Sequence, residues 1–128
     1  MKEHEMVSAV RETGRIDTTD HAERAIDATL AVLGERLAGG QSRDLAAQLP
    51  PALAEALPEE GPGLRFGLEE FYERVADNEG TRPPQARQHA RAVVAAVKAS
   101  VEPGLFEHIM AQLPDDYDDL LGTQPVQH

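Results

Sequence analysis

Cysteine and tryptophan are absent from this 128-residue chain, and aromatic content is confined to three Phe and two Tyr. Without cysteine there can be no disulfide framework, thiol nucleophile or thiolate metal site, which suits a reducing cytoplasm. Lysine is nearly missing: Lys2 and Lys98 are the only two, and the remaining basic residues are arginines. Against 12 basic residues stand 23 acidic ones, for a net charge of −11 and a pI near 4.7. Such a field repels phosphate backbones and anionic bilayers, so neither nucleic acid nor membrane is expected as a partner. No apolar run approaches the roughly 18 residues of a membrane span. The opening MKEHEMVSAV places Glu3, His4 and Glu5 where a signal peptide would have its apolar core. A soluble, cytoplasmic protein is expected.

Hydrophobic periodicity is helical throughout, and no alternating pattern or Asn-Gly or Asp-Gly hairpin suggests a sheet. The spacing predicts a helix from Lys2 to Thr13 with Gly14 at its left-handed end. A second helix is expected over His21–Ala38, capped by Asp20 and stopped by Gly39-Gly40. Its apolar stripe is Ala22, Ile26, Thr29, Leu30, Leu33 and Leu37. Ser42 would cap a short third helix, and Pro51 would open a fourth. The Pro- and Gly-rich stretch 58–67 is a linker whose Leu64 and Phe66 are expected to dock on the core. A fifth helix follows from Leu68 to Glu79, ended by Gly80. A long sixth helix carries Ala86, Ala90, Val93, Val94, Val97 and Val101. A seventh carries Leu105, Phe106, Ile109, Met110 and Leu113. In PDDYDDLLG, Asp115 and Asp116 favour the positive end of a last short helix.

The pattern of the first half returns in the second. At an offset of 64, Ala22 falls on Ala86, Leu30 on Val94, Leu33 on Val97 and Leu37 on Val101, while AQLP at 47–50 recurs at 111–114. At an offset of 65, Met6 falls on Phe71 and Val10 on Val75. A half alone is too small to bury its apolar faces well. The expected fold is therefore all-α: one domain over 1–128 made of two tandem pseudo-symmetric repeats of about four helices each. Repeat 1 covers about 3–57, the linker 58–67, repeat 2 about 68–121 and a disordered tail 122–128, the repeats sharing one core about an approximate two-fold axis.

LGERLAGGQSRDLAAQLP, FGLEEFYERVADNEG and the segment AxxHARAVVAAV together resemble the bacterial and archaeal domain of unknown function 2267 family over nearly the whole chain. The resemblance implies a helical fold and carries no catalytic residues. The second half departs from the signature at Ser100-Val101-Glu102-Pro103-Gly104, where the first has Arg36-Leu37-Ala38-Gly39-Gly40. A ligand needing both copies of the arginine would find only one.

Signatures of chemistry are sparse. Ser8, Ser42 and Ser100 are the only serines, and none lies in Gly-x-Ser-x-Gly. Neither Gly39-Gly40 nor Gly61-Pro62-Gly63 has phosphate-loop spacing. The run from Asp115 to Asp119 lacks the glycine and terminal glutamate of a calcium loop. His4, His21, His89, His108 and His128 form no close metal spacing, so a zinc site would have to be assembled from distant residues. His89 stands where the first half has Ala25, beside an Ala90 that replaces Ile26. That exchange reads as volume compensation at a packing position, with one ring nitrogen hydrogen-bonded and no metal bound. Arg36, Arg43 and Gln48 around the Gly-Gly turn are the candidate anion or partner contact. In the structural alternative, Arg36 caps a helix end and Gln48 satisfies turn carbonyls.

These features imply a non-enzymatic helical interaction module, with no catalytic, cofactor or metal residues and with another protein as partner. The alternative is a small-molecule or metal-binding protein with its site between the repeats, and a weaker third reading is an enzyme using carboxylates there. At −11, the chain is expected to show no measurable binding to generic duplex DNA near physiological salt in a fluorescence-anisotropy titration. A sub-micromolar affinity that weakens with salt would reveal a local basic patch.

Overall fold

The computed structural model describes residues 1–122, so the tail expected at 122–128 lies, apart from Gly122, outside the described residues. Within them the chain is predominantly helical. The helices are α1 (Glu3–Gly14), α2 (Thr19–Arg36), α3 (Gln41–Ala46), α4 (Pro51–Ala54), α5 (Leu68–Glu79), α6 (Pro83–Ser100), α7 (Pro103–Met110) and α8 (Asp118–Leu121). A single 3₁₀ turn, Asp115–Tyr117, leads into α8. No helix among the described residues is long and apolar enough to cross a membrane.

Helix ends follow local chemistry, not always at the expected residue. Gly80, at φ 78°, closes α5 in the left-handed conformation that glycine adopts without strain. At the end of α1 that conformation falls to Arg15 instead, φ 54°. Gly14 stays helical because it lies against α6, where an added Cβ would sit 3.2 Å from Ala92 Cβ. The cap of α2 is Thr18, whose Oγ1 accepts the His21 N–H at 3.1 Å, so the helix begins ahead of Asp20. It ends at Arg36, short of the two glycines. Ser42 is buried inside α3, and Gly40 takes the capping position.

The interior is built from α1, α2, α5 and α6. The two long helices touch each other, and each also touches both α1 and α5. Met6, Val10, Ala22, Ile26, Leu30, Leu33, Phe71, Val75, Ala90, Val93 and Val97 are all completely buried. Alanines, among them Ala22, Ala25, Ala92 and Ala96, let the helices approach closely.

The linker holds a short ladder that the periodicity did not announce: strand β1 (Ala38–Gly39) pairs antiparallel with β2 (Gly61–Pro62). Two residues per strand give no alternation to read. Only glycine fits at position 61, since a Cβ there would fall 2.0 Å from the Leu37 carbonyl oxygen. Beyond β2, Phe66 docks in the core as expected, but Leu64 does not and remains 42% exposed. Its N–H is held by the Glu35 carbonyl while its side chain faces solvent.

The last segment locks onto the middle of the chain. Asp116 Oδ2 accepts the N–H of Leu68 at 2.8 Å, capping α5 from 48 residues away. The buried Tyr117 hydroxyl donates to the Phe66 carbonyl at 2.7 Å. Asp119 accepts the Tyr72 hydroxyl at 2.8 Å and both Nε and Nη2 of Arg87, at 2.9 and 2.6 Å. The Arg87 hydrogen bonds hold the Asp119 carboxyl below its usual range, while burial and then the Asp119 hydrogen bond push the Tyr72 hydroxyl up.

Two outcomes are expected. Gly34→Ala, normally worth about 1 kcal/mol of helix propensity, should instead lower the denaturant midpoint. Its Cβ would lie 2.3 Å from Pro58 Cδ, and a proline ring cannot swing away. Overpacking of this kind costs about 1–3 kcal/mol; a raised midpoint would mean that the linker slides off α2 freely. Asp119→Asn should destabilise the protein near neutral pH. Because the folded carboxyl titrates lower than the unfolded one, its contribution is complete above the unfolded value of about 3.9 and fades as pH falls through the folded value. Wild-type and variant melts should therefore converge in strong acid; a gap independent of pH would show that the charge of Asp119 contributes nothing.

Candidate metal centre

The apolar stripe of α5 runs Leu68, Phe71, Tyr72, Val75, and its next position by helical spacing is Glu79. The helix thus delivers a carboxylate into the interior at its last residue, immediately before the Gly80 turn. On α6 the stripe of Ala86, Ala90 and Val93 includes His89, and in the first turn of α2 His21 directly precedes the buried Ala22. Contact of α5 with both α2 and α6 brings the three side chains together.

Glu79 Oε2 is shared by two imidazoles. His21 Nε2 donates to it at 3.0 Å and His89 Nδ1 at 2.5 Å. The rings meet edge to face, with centroids 5.2 Å apart. The Glu79 side chain is fully buried, that of His89 is 7% exposed and that of His21 is 33% exposed, so solvent reaches the cluster from the His21 side. Glu79 Oε1 is buried and has no hydrogen-bond partner. An ionised carboxylate removed from water is costly unless a positive charge or further donors meet it. The chemistry that fits is coordination of a cation, because two imidazole nitrogens and a carboxylate oxygen form an N₂O donor set suited to zinc and its neighbours. One ligand atom from each residue lies within 4.8 Å of the others, and this is the one such group of His and acidic residues among the described residues. Three protein ligands leave a coordination position for water or another donor.

His89 thus packs and hydrogen-bonds through one nitrogen, as its place in the sequence suggests. The partner that gives it further chemistry, Glu79, was not singled out. The available signal was a glutamate standing on an apolar stripe at the end of a helix. His4 and His108 are exposed and belong to no such group.

The residues expected around the Gly-Gly turn are spread over separate contacts. Arg36 Nε donates to the Phe66 carbonyl at 3.0 Å, with the guanidinium 5.5 Å from the Tyr117 ring centroid and 5.9 Å from that of Phe66. Gln48 Oε1 accepts the N–H of Glu102 at 2.8 Å and so caps α7 from the other half of the chain. Arg43 is exposed, its guanidinium folded back over Gly40.

The fold and the cluster together define a small helical bundle with a buried His–Glu–His group between its long helices. Residues 3–120 match the family described as an uncharacterized conserved protein (DUF2267), and the chain belongs to that family. No curated protein matches it.

Proposed function

We propose that this chain is a non-enzymatic, metal-binding helical protein in which His21, Glu79 and His89 hold a zinc-like divalent ion between two duplicated halves. The observation that carries the reading is Glu79: fully buried, with two imidazoles on one oxygen and no partner on the other. An ion would replace the shared protons, satisfy the carboxylate and tie α2 to α5 and α6. The duplication is supported by matched helix lengths, 12 residues in both α1 and α5 and 18 in both α2 and α6. It is also supported by the way α1 packs on α6 and α5 on α2. The ligands come from both halves, His21 from 3–57 and the other two from 68–121, so the ion would set how firmly the halves are held.

A second reading, an interaction module for another protein, is supported by the side-chain-filled apolar interior around the cluster. Both readings are compatible if the ion stiffens the module that the partner meets.

The test is calorimetric titration of untagged protein with zinc, paired with thermal melts. Wild type should give a saturable one-site isotherm, and at free zinc about a hundred times the dissociation constant should gain about 2.7 kcal/mol of stability. Affinity should fall with decreasing pH, because the imidazoles must release protons to ligate. His21→Ala, at the one partly exposed ligand, should fold and weaken binding by more than the roughly 10- to 100-fold that follows loss of a supporting partner. Glu79→Gln and His89→Ala should abolish binding, His4→Ala should change nothing, and magnesium should give no heat. Equal isotherms for wild type and His21→Ala, or a null signal for wild type, would reduce the cluster to a hydrogen-bonded packing device.

A further inference from the structure

Away from the His–Glu–His cluster, the end of α2, the linker and the turn after α7 enclose a cavity of about 280 Å³. Its polar lining includes Arg36, Arg65 and Gln112, its apolar wall Leu37, Leu113 and Pro114, and no carboxylate borders it. A shallower groove shares Arg36, Arg65 and Pro114 and adds Asp116, whose Oδ2 is already committed to the Leu68 N–H. We propose that this cavity binds a small organic phosphate monoester, its phosphate between the guanidinium groups of Arg36 and Arg65 and its apolar body against Leu37, Leu113 and Pro114.

Three features point to that ligand. In a chain of net charge −11, two arginines line one cavity, and no carboxylate among the described residues forms an ion pair with either. Arg36 is pre-organised, with its Nε fixed on the Phe66 carbonyl and its plane lying near the Phe66 and Tyr117 rings. The rigid fork of a held arginine matches the tetrahedral oxygens of a phosphate. A phosphate monoester carries close to two negative charges at neutral pH, which two arginines balance and a monocarboxylate does not. Enclosure by three chain segments favours a small molecule over a protein-borne phosphate. The site shares no residue with the metal cluster and stands whether or not zinc binds.

Proton–nitrogen correlation spectra of the full chain, titrated with phenyl phosphate, inorganic phosphate, benzoate and a phosphoserine peptide, test the proposal at ionic strength matched with sodium chloride. Phenyl phosphate should shift the Arg36 Nε–H and the Gln112 and Leu113 amides saturably, more tightly than inorganic phosphate, which lacks the apolar body, and than benzoate, which lacks the second charge. Arg65→Ala, at an exposed position, should fold normally and bind about tenfold or more weakly. Arg65→Lys should recover part of the loss, and Arg43→Ala should behave as wild type. Shifts that stay linear, that chloride reproduces, or that survive Arg65→Ala overturn the site. Tighter binding of the peptide than of phenyl phosphate overturns the small-molecule assignment.

Discussion

The apolar faces of the four central helices are buried against one another both within and across the two halves of the chain. The first helix lies on the sixth as well as the second, and the fifth on the second as well as the sixth, so apolar faces are completed across the chain's midpoint. The core depends on that packing. It demands small side chains where the long helices cross, which explains why Ala22, Ala25, Ala92 and Ala96 are buried and why Gly14 remains helical beneath Ala92. The linker lies tightly along the end of α2, close enough that a side chain at Gly34 or Gly61 would collide across that contact.

The same packing carries a carboxylate into the core. Glu79 is carried inward because it occupies the next turn of an apolar stripe, and burial removes the water that would otherwise stabilise its charge. Histidines from two other helices meet it, one buried and one at the margin. A packed interior tolerates such a group only if it is satisfied, and one carboxylate oxygen here is not. The arginine-lined cavity differs in kind. It lies at the end of α2, where Arg36 is held by the Phe66 carbonyl beside the Phe66 and Tyr117 rings and Arg65 lines the same space.

Much of the fold was legible in one dimension. The fifth helix runs from Leu68 to Glu79 with Gly80 in the left-handed position, as apolar spacing and the glycine indicate. The stripes of α2 and α6 are the buried faces, and Phe66 docks where a linker aromatic should. What misled was chemistry with two local solutions. Thr18 and Asp20 can each cap α2, and Thr18 holds the His21 amide. Gly14 suits a left-handed turn, but packing beneath Ala92 decides otherwise. A two-residue ladder has no periodicity to show. The cluster was illegible for a different reason: His21 is 58 residues from Glu79, and His89 a further 10. Only the crossing of helices makes them neighbours, although a glutamate at a core position was a readable anomaly. Likewise Arg36 and Gln48 look adjacent around the Gly-Gly turn, yet one turns to Phe66 and the other to Glu102.

The chain is made from its first residue to its last, and the contacts of residues 116–119 reach back to residues made long before. Until that stretch has emerged from the ribosome, the first amide of α5 lacks its acceptor from Asp116, and the Phe66 carbonyl lacks the Tyr117 hydroxyl. Tyr72 and Arg87 likewise wait for Asp119. Helix hydrogen bonds are local, but the contacts made by residues 116–119 span 32 to 51 residues and are absent until that stretch has been made. A nascent chain stalled before Asp116 would therefore hold a fifth helix whose first amide lacks its side-chain acceptor.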